Sequence, residues 1–140
     1  MAKHFDIKTV WQENMAFESH VGNHTVRMDT MPDLGDDTAP SPKHLVLAGL
    51  AGCTGMDVVS LLKKMRVDFT GFEIDIETDL TEKHPKVFSE ITMVYRVSGK
   101  ELDKKKVEKA ITLSQDRYCG VSAMLKKNSA ISYRIEYIED

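Results

Sequence analysis

Two cysteines, Cys53 and Cys119, are the residues of this chain best suited to covalent chemistry, because the thiolate form of cysteine is a nucleophile. In a reducing compartment we do not expect a structural disulfide between them, and two thiols alone do not make a zinc site. Either residue could instead be a small buried apolar side chain. The predicted surroundings of each cysteine are therefore needed to distinguish a reactive thiol from a buried apolar residue.

Cys53 lies at the centre of an apolar stretch, HLVLAGLAGCTGMDVVSLLKKM, in which Asp57 is the one charge between Leu45 and Leu62. Ser41-Pro42 fits a helix start, with Ser41 as the N-cap, and the basic residues near Lys64 suit a helix C-terminus. We predict a helix from about Pro42 to about Arg66. A helix that is apolar nearly all round must be covered nearly all round, and Asp57 argues against a membrane span.

The predicted helix places Asp57 one turn from Cys53, on the same face. A reactive thiolate needs positive surroundings, so Asp57 acts in the wrong direction unless a cation pairs with it. The sequence offers Arg27, Arg96 and Arg117 for this role and does not choose among them. Small residues surround Cys53, which favours close packing of another backbone against this helix.

Cys119 lies in the segment RYCGVSAML, where Gly120 weakens a second predicted helix that begins near the capping residue Asp103. A thiol at a broken helix end is more accessible than one in the middle of a helix, and a local irregularity often marks function. Alternatively, Cys119 is a half-buried side chain that only fills space between other residues.

Strands account for most of the remaining chain, as period-two alternation in FDIKTVW, MAFESHV, HTVRMDT, FEIDIETDL, VFSEITMVYRV and ISYRIEYI indicates. Gly22-Asn23 predicts a tight hairpin turn. The order is three strands, a helix, two strands, a broken helix and a strand, so we predict an α+β fold with antiparallel sheets and one domain over residues 1–140. A symmetric dimer sharing the long helix as a common core would bury that helix.

Composition excludes several classes of function. The chain has 140 residues and a formal net charge of −3, which argues against nucleic acid as its main partner. The N-terminal segment shows neither an apolar signal core nor a transit pattern, so we expect a cytoplasmic protein. His20 and His24 flank the hairpin turn and could face each other, but no third metal ligand is evident, so we expect no metal site.

Two segments together, SPKHLVLAGLAGCTGMDVVSLLKKM and RYCGVSAML, separated by an acidic alternating hairpin, resemble the OsmC/Ohr family of osmotically inducible and organic hydroperoxide resistance proteins. The similarity extends over essentially the whole chain. It is closest to the broader OsmC-like branch, in which a Gly-Cys-Thr-x-x-Asp-Val-Val run is common. The resemblance implies an intertwined homodimer whose long central helices pack between sheets.

The resemblance also implies a chemistry. Characterised members of the family are thiol peroxidases, in which a cysteine matching Cys53 attacks an organic hydroperoxide and becomes a sulfenic acid. A cysteine matching Cys119 would resolve that sulfenic acid into a disulfide. No bound cofactor is implied, and an external dithiol or lipoyl-type reductant would restore the thiols.

The chain departs from the peroxidase members at three places. Lys43 stands where they carry a glutamate, the segment ESHVGNH lacks their activating arginine, and Gly120 stands where a proline usually follows the second cysteine. Two functions therefore follow from the resemblance. The first is a two-cysteine peroxidase for organic hydroperoxides, and the second is a dimeric binding protein for a small apolar or electrophilic ligand.

Overall fold

The computed structural model describes residues 3–140, which form two compact units, one ending at Leu47 and the other extending over Ala48–Asp140. The first two residues of the N-terminal segment, on which the cytoplasmic expectation partly depends, lie outside the described residues. The α+β class predicted from the sequence is confirmed. The prediction of a single domain over residues 1–140 stays a prediction.

The first unit is built on an antiparallel three-stranded sheet in the order β1 (Lys8–Glu13), β2 (Ala16–Val21) and β3 (His24–Met28). Val21 pairs with His24, so Gly22-Asn23 forms the predicted two-residue turn. Gly22 has φ of 60°, a left-handed conformation that glycine adopts without steric cost. His20 pairs with Thr25, so His20 and His24 lie on opposite faces of the ribbon, and the expectation that they could face each other is wrong.

The loop after β3 is organised by Asp29, which is buried. Its carboxylate accepts hydrogen bonds from the Thr30 N–H at 2.7 Å, and from the Thr38 N–H at 3.0 Å and hydroxyl at 2.6 Å. These hydrogen bonds, with the Thr38 hydroxyl contributing most, lower the pKa of Asp29 to about 2. The carboxylate therefore closes the loop that leads to the long helix.

The long helix, α1, extends over Pro42–Lys64 and agrees with the predicted bounds within two residues. The Ser41 hydroxyl accepts a hydrogen bond from the His44 N–H at 3.3 Å, as expected of an N-cap. Lys63 and Lys64 occupy the last turn, where cations offset the negative end of the helix dipole.

The second unit contains a three-stranded sheet in which β5 (Phe88–Gly99) lies between β4 (Gly71–Leu80) and β6 (Ala130–Glu139). β4 and β5 are antiparallel, but β5 and β6 are parallel, so the prediction of purely antiparallel sheets is wrong for this pair. Parallel neighbours need a crossover connection. Here the crossover consists of α2 (Lys104–Leu113), a π-helical turn (Ser114–Tyr118) and α3 (Gly120–Lys126).

The core of the second unit forms on the central strand β5, where Ile91, Met93, Tyr95 and Val97 are fully buried. On β4 the acidic residues face solvent and alternate with half-buried apolar ones, as the sequence pattern predicted. Asp103 caps α2 as predicted, since its side chain accepts a hydrogen bond from the Lys106 N–H. The buried residues of α2 are Val107, Ala110 and Ile111.

Only one stripe of α1 is buried within the chain, and it consists of Leu50, Thr54, Val58 and Leu62 at successive four-residue intervals. In an apolar 18-residue stretch of α1, 22% of the residues are buried. The expectation of a helix covered nearly all round is therefore not met by this single chain. By length and composition alone α1 could cross a membrane, a property that it shares with core helices of many globular proteins.

Candidate functional site

The two cysteines meet in the second unit. The Sγ atoms of Cys53 and Cys119 and a carboxylate oxygen of Asp57 all lie within 4.8 Å of one another, and both cysteines are free thiols. The S–S bond of a disulfide is about 2.05 Å long, so the two sulfurs would have to approach each other by at most about 2.8 Å to form one. The sequence predicted both residues, and the structure brings them together.

Cys53 occupies its place because of the buried stripe of α1. Thr54, the next residue, points into the core, so Cys53 lies at the edge of the stripe and is half-buried. Asp57, one turn further on, shares this edge. A cysteine at the edge of a buried helix face is held by packing while its sulfur stays within reach of solvent.

Cys119 follows the π-helical turn and is the N-cap of α3, with extended backbone angles. Its backbone N–H donates to the Ser114 carbonyl at 2.8 Å, and its Sγ accepts a hydrogen bond from the Ser122 N–H at 3.4 Å. The helix is broken at Cys119 itself, whereas the sequence placed the break near Gly120, which begins α3. π-Helical turns are frequent at functional sites and had no clear signal in the sequence.

The two thiols differ in accessibility. Cys119 is 3% exposed, and burial raises its pKa to about 11, although the Ser122 N–H partly opposes this shift. The neighbouring Cys53 and the negative charge of Asp57 add to the increase in the pKa of Cys119. Cys119 therefore remains a neutral thiol near pH 7, and the half-buried Cys53 is the sulfur that a reagent reaches first.

None of the arginines that the sequence offered as a partner for Asp57 forms an ion pair with it. Arg96 is paired with Asp75 and Glu136, and the guanidinium of Arg117 lies over the Tyr118 ring at 5.7 Å. Arg27, in the first unit, donates to the Thr38 hydroxyl. Within the second unit, residues 48–140, no lysine, arginine or histidine makes an ion pair with Asp57.

Asp57 is instead held by a chain of buried hydroxyl groups. Because a carboxylate only accepts, the Ser114 hydroxyl donates to it at 3.0 Å, and the Thr54 hydroxyl must then donate to Ser114 at 2.8 Å. The Tyr95 hydroxyl in turn donates to Thr54 at 2.7 Å and accepts from the Gln115 amide at 2.6 Å. Hydrogen bonds aligned in one direction polarise one another and stabilise the negative charge at their end.

The same network reaches Cys119. The Gln115 side-chain carbonyl accepts a hydrogen bond from the Ser122 hydroxyl at 2.7 Å, and the Ser122 N–H contacts the Cys119 sulfur. Gln115 and Ser122 are both buried. One connected set of hydrogen bonds therefore fixes Asp57 and Cys119 relative to each other.

An open apolar groove with a volume of about 730 Å³ lies between α1 and β4. Its lining combines small residues of α1 with apolar side chains of β4, and it includes Ala51, Gly52, Gly55, Met56, Phe72 and Ile74. The expected close packing of a backbone against the glycines does not occur within the chain. A Cβ atom added at Gly52 would meet no atom of the described residues within 4 Å, and one at Gly55 would meet only the Ile74 side chain.

Comparison with known proteins agrees with this fold. The family model described as OsmC-like protein matches residues 35–134. Protein YhfA of Escherichia coli K12 is 35% identical over 130 residues, which cover 91% of this chain and 94% of that protein. The chain therefore belongs to the OsmC-like family, and the resemblance inferred from the sequence is confirmed.

Two solved structures agree in fold. An OsmC-like protein from Mycoplasma pneumoniae has a TM-score of 0.85 and 15% identity, with 99% of each chain covered. The organic hydroperoxide resistance protein OhrB of Bacillus subtilis has a TM-score of 0.68 and 18% identity, with 96% of this chain and 98% of that chain covered. Both similarities concern the fold alone.

Proposed function

We propose that this protein is a thiol-dependent peroxidase that reduces organic hydroperoxides through Cys53 and Cys119. The observation that carries the proposal is the placement of two free sulfurs and one carboxylate within 4.8 Å, with one sulfur half-buried and the other buried. Solved structures of the same fold include a protein named for resistance to organic hydroperoxides, which supports this reaction class.

The reaction would proceed in three steps. The Cys53 thiolate attacks the peroxide oxygen of ROOH, so that the O–O bond breaks, Cys53 becomes a sulfenic acid and the alkoxide takes a proton to leave as ROH. The Cys119 thiol then attacks the Cys53 sulfenic acid, forming a disulfide and releasing water. An external dithiol, such as a lipoyl-type reductant, reduces the disulfide by thiol exchange and is itself oxidised to a disulfide.

The assignment of roles follows from accessibility. Cys53 meets the peroxide because its side chain is half-buried, whereas Cys119 is 3% exposed and its thiol has a pKa raised by burial to about 11. A neutral buried thiol is a poor attacker of free peroxide, but it is well placed to condense with a sulfenic acid beside it. The groove beside α1 would accommodate the alkyl group of the substrate.

Two cysteine variants test the proposal. We expect Cys53→Ser to lose consumption of an alkyl hydroperoxide with a dithiol reductant. We expect Cys119→Ser to complete the first oxidation and accumulate a sulfenic acid that reacts with dimedone. Peroxide consumption by Cys53→Ser at the rate of the parent protein would overturn the proposal.

We also propose that the active form is a homodimer. Met56, on the uncovered side of α1, is 77% exposed, and the uncovered apolar face would be buried against a second copy of the chain. Light scattering after size exclusion should give twice the chain mass, and Met56→Lys should shift the protein towards the monomer. A parent protein that is monomeric at all concentrations would contradict this part of the proposal.

The groove favours a second candidate function, the binding of a small apolar or electrophilic ligand with little or no peroxidase activity. Its lining is mostly apolar, and Lys63 and Glu73 at its edge could orient a polar group. This function predicts that lipophilic compounds raise the melting temperature while Cys53 reacts slowly with hydroperoxides. Gly52→Leu should abolish that increase by filling the groove, whereas Ser89→Ala on β5 should preserve it.

A further inference from the structure

We propose that Cys53, Asp57 and Cys119 form a binding site for one divalent cation of the zinc class when both thiols are reduced. Three potential ligand atoms, two sulfurs and one carboxylate oxygen, lie within 4.8 Å of one another. The proposal does not depend on the peroxidase reaction, because it concerns the reduced protein in the absence of peroxide.

The donor set matches this class of cation. Zinc is borderline-soft and is bound by cysteine thiolates and carboxylates, and sites with three protein ligands leave a fourth position for water. The sequence offered two cysteines, which alone are too few. Asp57 is the third donor, because it follows Cys53 by one helical turn and the Cys119 sulfur lies near both residues in the fold.

The distances are compatible with coordination. With zinc–sulfur bonds of about 2.3 Å, two sulfurs of a tetrahedral site are about 3.8 Å apart. The present spacing of the two sulfurs, at most 4.8 Å, would need to contract by no more than about 1 Å around the ion.

The surrounding hydrogen bonds orient two of the three donors. The Ser114 hydroxyl donates a hydrogen bond to one oxygen of Asp57 at 3.0 Å, and the Ser122 N–H donates to the Cys119 sulfur at 3.4 Å. Such contacts behind the ligands are typical of protein metal sites. With both thiols deprotonated the three donors would carry three negative charges, and a divalent ion would offset two of them. Within the second unit no ion pair offsets the charge of Asp57.

A pocket of about 310 Å³ lies on the Asp57 side of the site, and Ser60, Leu61, Lys64 and Tyr118 also line it. Binding would release one proton from each thiol to the buffer, and the bound ion would shield both sulfurs from alkylating reagents. The consequence is a protein whose thiols are masked when the cation is bound.

The test uses the full-length reduced protein and the metal alone. Anaerobic titration with Co²⁺ should give one equivalent per chain and thiolate-to-metal charge-transfer absorption, and Zn²⁺ should displace the Co²⁺. Asp57→Asn should weaken binding on the order of tenfold or more, while Asp79→Asn, on the exposed side of β4, should leave the affinity unchanged. Zn²⁺ should slow alkylation of Cys53 in the parent, and a chelator should restore the original rate.

The outcomes separate the metal site from its alternatives. No stoichiometric Co²⁺ binding by the fully reduced parent would overturn the proposal. Binding that is equally strong in Cys53→Ser and in Asp57→Asn would also overturn it, because the ion would then lie elsewhere. Circular dichroism of each variant establishes that it is folded. Peroxide consumption is not part of the readout, so failure here would leave the peroxidase proposal intact.

Discussion

The two sides of α1 in the second unit differ in burial and in hydrogen bonding. On the inner side Thr54 is fully buried, and its hydroxyl connects Tyr95 and Ser114 in a chain that ends at Asp57. On the outer side Met56 is 77% exposed, and Gly52 has open space where a side chain would be. The inner side fixes the site, whereas the outer side is free for a ligand or a second subunit.

This difference explains why one helix needs both glycines and a buried polar residue. The inner stripe tolerates Thr54 because its hydroxyl both accepts a hydrogen bond from Tyr95 and donates one to Ser114. The outer glycines cost helix stability of about 1 kcal/mol each relative to alanine and gain no contact within the chain that would offset it. We infer that their benefit comes from what binds there.

The largest contrast is expected from apolar truncations on the two sides. Leu50→Ala removes a fully buried side chain and should lower the free energy of unfolding by about 2–5 kcal/mol. Met56→Ala should change it by about 0.5 kcal/mol or less at concentrations where the protein is monomeric. Denaturant unfolding measures both, and equal effects would contradict the description of the two sides.

The hydroxyl chain should give a smaller effect. Thr54→Val keeps the shape of the side chain but removes the acceptor of the buried Tyr95 hydroxyl and the donor to the buried Ser114 hydroxyl. We expect a loss of about 1–3 kcal/mol in the free energy of unfolding. Ser60→Ala, on the exposed side of the same helix, is the matched control and should have no measurable effect.

A related contrast exists within the first unit between Asp29, which is buried and hydrogen-bonded, and Asp33, which is exposed. The pKa of Asp29 in the folded protein, about 2, lies below its unfolded value of about 3.9. Its ionised form therefore stabilises the fold above about pH 4, and this contribution is lost as the pH falls towards 2.

Asp29→Asn should accordingly be less stable than the parent at pH 7. Below pH 4 the variant should lose less stability than the parent does, because it has no carboxylate at this position to protonate. Asp33→Asn should leave the pH dependence as it is in the parent. Thermal unfolding of the three proteins between pH 7 and pH 2.5 measures this, and identical curves for Asp29→Asn and the parent would exclude the assigned role of Asp29.

Local patterns predicted most elements of the fold. Ser41-Pro42 and Lys63-Lys64 gave the bounds of α1, and the alternation of acidic and apolar residues gave β4 and its exposed face. The parallel pairing of β6 was missed because the alternation of Ile131 and Tyr133 with the polar residues Ser132 and Arg134 predicts a strand but carries no information on strand direction.

The site was only partly predictable. Cys53 and Cys119 stood out by residue type, and their pairing came from the resemblance to a family. The hydrogen-bond chain could not be derived, because Tyr95 and Ser114 are 41 and 60 residues from Thr54 in sequence. A signal was nevertheless present, since Ser114 continues the helical spacing of the buried residues Val107, Ala110 and Ile111, and a buried hydroxyl requires a partner.

The central claim is that the two sulfurs act as a pair on an organic hydroperoxide, and mass spectrometry of the reduced protein tests it most directly. After one equivalent of an alkyl hydroperoxide without reductant, the account predicts a chain lighter by two hydrogen atoms and a peptide in which Cys53 is bonded to Cys119. Two unmodified thiols after this treatment, or oxidation of Cys53 to a sulfinic acid with Cys119 still free, would contradict it.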